Sequence, residues 1–237
     1  MNTAYKALIT EDGSPSLSLP PTWEPMHSLE GAFSETLYIY QPTVEKAYQA
    51  VSRPSFTSVG LGLGYNEILI ACEAFSNNKQ PDLIHSYESQ NFLRDNFIKW
   101  FQGEQNDLTA IYEKIAGFYA SQYHISTQEL SEQLLQWYNG GQLLLKSALN
   151  METSIQKVNG VLFDAFCSKT TEELWTPEFL ELFISKSSSD NCFLSTYACT
   201  GLLKRTLEKH NYSVEKCKGF GKKRHSTFAA RAPSPLT

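Results

Sequence analysis

Long apolar runs are missing from this 237-residue sequence. Each strongly apolar stretch meets a charged or amide side chain within about a dozen residues, short of the roughly 18 to 20 that cross a bilayer, so no transmembrane helix and no membrane partner are expected. A secretory signal is missing as well: Met1 to Gly13 sets Lys6, Glu11 and Asp12 around a short apolar patch, without a basic n-region or a continuous h-region, and a cytoplasmic location is expected. The five cysteines (Cys72, Cys167, Cys192, Cys199, Cys217) form no C-x-x-C pair and have no histidine at ligand spacing. That argues against a disulfide framework or a metal site and for free, mostly buried thiols. What is present is 41% hydrophobic and 13% aromatic residues, ample for one buried core and incompatible with a disordered or fibrous chain.

The net charge of −5 conceals an asymmetry. From Gly201 onward nine basic residues face two acidic ones, +7, whereas the preceding 200 residues carry 11 basic and 23 acidic ones, −12. The carboxyl-terminal part can attract phosphate, and the rest repels it.

Residues 1–24 are rich in Ser, Pro and Thr and read as an extended arm preceding one domain over 25–237. From Ser55 strand and helix patterns alternate: a strand Ser55 to Val59, a glycine turn, a helix Asn66 to Phe75, a strand Leu83 to Glu88, then a helix carrying Phe92, Leu93, Phe97, Trp100 and Phe101. This order predicts an α/β fold with a parallel sheet and right-handed crossovers. Residues 103–140 show no strand signal and read as a helical insertion, with a capping box from Ser126 to Glu129. Strands are predicted again at Gln142 to Leu145, Gly160 to Asp164 and Cys192 to Thr196, with helices starting at Thr176-Pro177 and Thr200. Tyr212 to Lys216 and His225 to Ala230, joined by Lys218-Gly219-Phe220-Gly221-Lys222, predict a terminal antiparallel hairpin at one sheet edge.

The glycine turn Gly60-Leu61-Gly62-Leu63-Gly64-Tyr65-Asn66 falls where a first strand hands over to a first helix, the place where doubly wound sheets bind nucleotides. Its third glycine comes one position early for a dinucleotide fingerprint, and Tyr65 stands where that fingerprint needs glycine. G-x-G-x-G suits S-adenosylmethionine better. Glu88, 24 residues beyond Gly64 at the end of the next strand, is placed to accept the hydroxyl hydrogens of a ribose. Asp164 ends the apolar run Val161-Leu162-Phe163 at the sheet edge where open α/β folds hold ligands. An acid there, followed by aromatics, suits amine methylation, in which the amine must lose a proton, and the ring faces of Phe166, Trp175 or Tyr197 can favour a sulfonium or ammonium.

Three ordered blocks then make a specific resemblance. Asp164-Ala-Phe-Cys-Ser-Lys-Thr-Thr-Glu-Glu-Leu-Trp175-Thr-Pro-Glu-Phe, Ser195-Thr-Tyr-Ala-Cys-Thr-Gly201-Leu-Leu-Lys-Arg and Tyr212-Ser-Val-Glu-Lys-Cys-Lys-Gly219-Phe-Gly221-Lys-Lys-Arg224 resemble the tRNA 5-methylaminomethyl-2-thiouridine methyltransferases, the MnmC-like family. Met26-His27-Ser28-Leu29-Glu30-Gly31-Ala32-Phe33-Ser34-Glu35-Thr36 is similar to the family's amino-terminal His-Ser-x-x-Gly-Ala motif, so the likeness runs from about residue 26 to 230. It implies a class I S-adenosylmethionine-dependent methyltransferase fold, Rossmann-like, that methylates the exocyclic amine of a modified wobble uridine, 5-aminomethyl-2-thiouridine, in tRNA. The family usually has an acid where this sequence has Ser58 and a Gly-Asp pair where it has Lys146-Ser147; those acids orient the methionine ammonium and the adenine amine. The implied cofactor set is thus Ser58, Gly60, Gly62, Gly64, Asn66, Glu88 and Ser147, with Asp164 and Phe166 at the reacting centre. For the tRNA anticodon region it is His27, Lys169, Trp175, Tyr197, Lys218, Phe220, Lys222, Lys223 and Arg224, the last five on a hairpin expected to hold Phe220 outward between cations. No second nucleotide fingerprint remains among the glycines, so the flavin-dependent oxidase fused to this domain in several bacteria is expected to be absent, or to act in trans.

Two other functions fit the residues: a divergent, non-catalytic member that binds RNA or a partner, favoured by Ser58 and Ser147, and a methyltransferase for a small amine or a protein, favoured by the acidic first 200 residues.

Overall fold

The computed structural model describes residues 5–166 and 170–232. Its centre is a seven-stranded sheet of β3 (Ser55–Val59), β4 (Leu83–Tyr87), β5 (Leu143–Lys146), β6 (Val158–Phe163), β7 (Ser188–Thr196), β8 (Ser213–Lys218) and β9 (His225–Arg231), in the order β5-β4-β3-β6-β7-β9-β8. The first five of that order run parallel, and β9 returns antiparallel between β7 and β8. The chain starts at β3, moves outward through β4 to β5, then crosses back to β6. The order therefore reverses between β3 and β6, and the crevice beyond their carboxyl ends is where such sheets take a ligand.

Both faces of the sheet are covered, which is why β3 and β6 read as continuous apolar runs. On one face lie α1 (Ala32–Ala50), α2 (Tyr65–Asn77), α4 (Thr109–Tyr123) and α5 (Thr127–Asn139), with Phe56 of β3 packed 5.3 Å from the Tyr48 ring. On the other, α6 (Pro177–Ser187) and α7 (Gly201–Lys209) cover Phe163, whose ring meets Trp175 at 5.2 Å and Phe183 at 5.4 Å. Local signals set the helix starts. Ser126 and Glu129 form a reciprocal capping box on α5, Thr176 accepts from Phe179 N with Pro177 in the first turn of α6, and Thr200 caps α7 through Leu203 N.

Several expectations change. The first residues are not a loose arm: β1 (Lys6–Ile9) and β2 (Pro15–Ser18) pair as a hairpin with Leu17, Ser14 and Ser16 fully buried. Asp12 anchors it to α1, accepting from the backbone and hydroxyl of Ser34. The 19-residue α1, unread in the sequence, carries Pro42 within it and buries Tyr40, Val44, Ala47 and Tyr48 against β6 and β7. Residues 103–140 form α4 and α5, packed on α2, α5 also meeting α3 (Asn91–Phe101). Of the described cysteines, Cys72 and Cys192 are buried, but Cys217 is half-buried and Cys199 exposed; all four are free. Among the described residues no helix is long and apolar enough to cross a membrane.

Candidate active site

At the carboxyl ends of β3, β4, β6 and β7 the sheet opens into a cavity of about 750 Å³. Each strand end supplies one wall: Gly60 to Gly62 after β3, Tyr87 to Gln90 after β4, Asp164 to Phe166 after β6, and Tyr197 after β7. Ala148 and Leu149 close the β5 side. The remaining wall comes from 19–29, which follows the amino-terminal hairpin and brings His27 and Met26 over the opening.

The glycine turn is fixed from below. Gly60 N and Leu61 N both donate to the Tyr87 carbonyl, at 2.9 and 3.1 Å, so the turn is clamped to the end of β4. Gly60 has φ +92°, and a Cβ there would lie 2.6 Å from the Asp164 carbonyl; glycine alone lets β3 and β6 release their chains side by side. Gly64 serves packing, since a Cβ would sit 2.4 Å from the Phe97 ring, and it does not line the cavity. Gly62 does line it: its Cβ would meet nothing nearer than Met26 Sδ at 3.8 Å. Glu88 turns back on this backbone, accepting from Gly62 N at 3.0 Å and Gln90 N at 2.9 Å.

Asp164 lines the cavity at the end of β6. Tyr40 OH donates to its Oδ1 at 2.6 Å and Asn66 Nδ2 to its Oδ2 at 3.2 Å. Burial raises its pKa to about 7; the Tyr40 hydroxyl and, further off, the Lys223 charge hold it down, while Glu35 pushes it up. Asp164 thus changes ionisation near neutral pH. Glu35, almost wholly buried, accepts from Lys223 Nζ at 2.8 Å and from Ser28 N at 2.7 Å. The Lys223 ammonium also lies 4.0 Å above the centre of the Tyr197 ring, whose hydroxyl donates to the Ala165 carbonyl at 2.8 Å. His27 Nδ1 is 2.9 Å from Ser16 Oγ, its ring packs edge-on to Tyr65 at 4.8 Å, and burial lowers its pKa to about 4, leaving it neutral.

The cavity therefore gathers His27, Gly60, Gly62, Asn66, Glu88, Asp164, Phe166, Tyr197 and Lys223 from the sequence reading. It does not gather the rest. Ser58 is buried beneath the turn, away from the cavity, in the layer that holds Glu67; Glu67 accepts from Ser86 Oγ at 2.6 Å, and burial pushes its carboxyl up to about 7. Ser147 is exposed, and its neighbours Ala148 and Leu149 face inward instead. Trp175 is core, its indole N–H donating to the Phe166 carbonyl at 2.8 Å. Phe220 is half-buried against Tyr38, 5.9 Å between ring centres, and does not stand free between cations. Lys218, Lys222, Lys223 and Arg224 are all exposed, and of these four Lys223 alone lines the cavity. Lys169 lies outside the described residues. Sequence reasoning missed Glu35 and Tyr40 because α1 went unread, although the spacing of Phe33, Leu37, Tyr40, Val44 and Tyr48 is helical.

The order β5-β4-β3-β6-β7-β9-β8 with β9 antiparallel, and a crevice at its switch point, make this a class I S-adenosylmethionine-dependent methyltransferase fold. Residues 112–232, just over half of the chain, match the family of S-adenosyl-L-methionine-dependent methyltransferases. The chain belongs to that family, and its cofactor is S-adenosylmethionine. Among its relatives are the uncharacterized protein MJ0670 of Methanocaldococcus jannaschii, 25% identical over 95% of this chain and 59% of that protein. The tRNA 5-methylaminomethyl-2-thiouridine biosynthesis bifunctional protein MnmC of Legionella pneumophila is 25% identical over 86% of this chain. This chain covers only 33% of the Legionella protein's length. The crystal structure of MnmC2 from Aquifex aeolicus superposes with a TM-score of 0.68 at 25% identity, covering 100% of this chain and 73% of that one. The resemblance to MnmC-type methyltransferases read from the three sequence blocks is borne out.

The residues present fit the cofactor. The cavity volume is in the range that holds a ligand of nucleoside size. The Gly62 backbone is open to it, and Asn66 Oδ1 is buried with no hydrogen-bond partner in the protein, an acceptor left for a ligand donor.

Proposed function

We propose that the protein methylates the exocyclic amine of 5-aminomethyl-2-thiouridine at the wobble position of tRNA. The observation that carries this is Asp164: a carboxylate poised near neutrality at the end of the central strand, inside the cavity and beside the glycine turn. The names of the MnmC relatives support the tRNA assignment.

S-adenosylmethionine, when bound, supplies an electrophilic methyl group on a sulfonium. The turn Gly60 to Gly62, Glu88 and Asn66 would hold its nucleoside part. Asp164 receives the substrate amine and takes the proton that nitrogen must lose as its fourth bond forms, with its two oxygens kept in place by Tyr40 and Asn66. Phe166 borders the same space. The exposed Lys218, Lys222 and Arg224 bind tRNA phosphates outside the cavity.

Incubation of the protein with S-adenosylmethionine and tRNA bearing 5-aminomethyl-2-thiouridine, followed by nucleoside analysis, tests the reading: a product heavier by one methyl on the amine is expected. Methyl transfer to free amines or proteins with none to tRNA would replace it by the small-substrate reading.

A further inference from the structure

We infer that Lys223 is a positioning residue that sets the proton affinity of Asp164 through its contact with Glu35, and is not a ligand for RNA phosphate; as a statement about methyl transfer this rests on the function proposed above. The loop between β8 and β9 presents three consecutive cations, but they part company. All three are exposed, but Lys223, 41% exposed, reaches across to α1 and places its ammonium against the Glu35 carboxylate and over the Tyr197 ring. An ammonium held by a buried carboxylate on one side and a ring face on the other has given up its freedom to follow a phosphate. Its charge is engaged at the cavity wall.

What it acts on follows from what surrounds Asp164. From α1 come the Tyr40 hydroxyl and Glu35; from the start of α2, the Asn66 amide; from the end of β7, Tyr197; from the amino-terminal segment, neutral His27; and from the β8–β9 loop, Lys223. Among the described residues that line the cavity, Lys223 is the one lysine or arginine, set against the carboxylates of Glu24, Glu35, Glu88, Asp164 and Glu173. Without it, Glu35 is an uncompensated anion facing Asp164, and a second carboxylate in a poorly solvated site raises the proton affinity of the first. With it, Asp164 ionises at a pH where an amine can still pass it a proton. Glu35 and Lys223 therefore push in opposite directions, and that opposition distinguishes an electrostatic role from a merely structural one.

The test is a carboxyl-carbon NMR titration of protein labelled at its six aspartates, with the Asp164 resonance assigned by its loss in Asp164→Asn. Lys223→Met is expected to raise the Asp164 midpoint by about one unit, Glu35→Gln to lower it by a similar amount, and Lys223→Arg to leave it near the wild-type value. The titration needs neither cofactor nor tRNA, so it stands or falls separately from the proposed reaction. In turnover with tRNA bearing 5-aminomethyl-2-thiouridine, the acid limb of the pH profile is to move in the same directions, with KM for tRNA and its salt dependence unchanged. Unmoved midpoints in both variants, or shifts of the same sign, overturn the inference. A Lys223→Met protein whose tRNA affinity falls and whose salt slope flattens, with the Asp164 midpoint unmoved, makes Lys223 an RNA ligand instead. Should Lys223→Met not fold, Glu35→Gln and Lys223→Arg still decide the sign.

Discussion

The phenolic hydroxyl of Tyr40, on the first long helix, donates to Asp164 Oδ1 at 2.6 Å across 124 residues of sequence, and the Tyr40 ring is buried. A hydrogen bond to a charged acceptor contributes about 1.5 to 3 kcal/mol, equal to roughly one to two pH units in the acid it stabilises. Tyr40→Phe keeps the ring and removes that bond. Asp164 then holds its proton to higher pH, and the acid limb of the pH profile of kcat/KM moves up by about that amount. An unshifted limb in Tyr40→Phe would show that Asp164 is not the group whose ionisation governs turnover.

Asp164→Asn separates chemistry from stability. Turnover is expected to fall by about 10² to 10⁴, the usual contribution of a positioned proton acceptor, while S-adenosylmethionine binds in calorimetry as before. The folded-state pKa of about 7 lies above the ordinary 3.8, so the native state holds a proton that the unfolded chain has released, and stability contributed by Asp164 is lost as pH rises through 7. Asparagine has no such loss. The variant is expected to melt higher than the parent at pH 8, by several degrees for about 1 to 2 kcal/mol, with the advantage gone at pH 4. A cofactor affinity that drops as far as turnover would move Asp164 from the acceptor to the cofactor side.

The glycine turn yields a paired prediction. Gly60→Ala forces a methyl to 2.6 Å from the Asp164 carbonyl at a φ that side chains disfavour, and is expected to lower stability by about 2 kcal/mol or more. Gly62→Leu meets open space but sits at φ +52°, so it is expected to cost about 1 to 2 kcal/mol of stability, less than a clash would, while filling the cavity and abolishing S-adenosylmethionine binding. Undiminished binding by Gly62→Leu would place the cofactor elsewhere.

Charge reversal at Lys222 and Arg224, sparing Lys223, addresses the outer surface. The loss of two phosphate contacts is expected to reduce the log–log salt slope of tRNA binding by nearly two, with cofactor affinity unaltered. A slope equal to the parent's would assign RNA docking to another face.

Much of this was legible in the sequence, for identifiable reasons. Val59 before Gly60 and Phe163 before Asp164 mark strands buried on both faces, so the apolar runs and the residues that end them locate the cavity without any structure. Thr176-Pro177 and Ser126–Glu129 announce helix starts through local bonding alone. The misses share a cause: each depends on a contact far away in sequence. Residues 6–18 are polar enough to read as a loose arm, yet Ser14 caps the first turn of α1 through Ala32 N and Phe33 N, which only the folded chain reveals. Pro42 interrupts the helical signal of α1 and hides Glu35 and Tyr40 with it. Lys222, Lys223 and Arg224 look alike in one dimension; the partner that singles out Lys223 lies 188 residues upstream.

That same separation gives the molecule an order of assembly. The wall made by residues 19–29 and Glu35 leaves the ribosome before Lys223, which follows Glu35 by 188 residues. Until the final hairpin has been added to the edge of β7, Glu35 has no ammonium beside it and the crevice lacks one side. A nascent chain can therefore form β3, β4 and the glycine turn early, but the cavity gains its last wall only once the β8–β9 hairpin has been made.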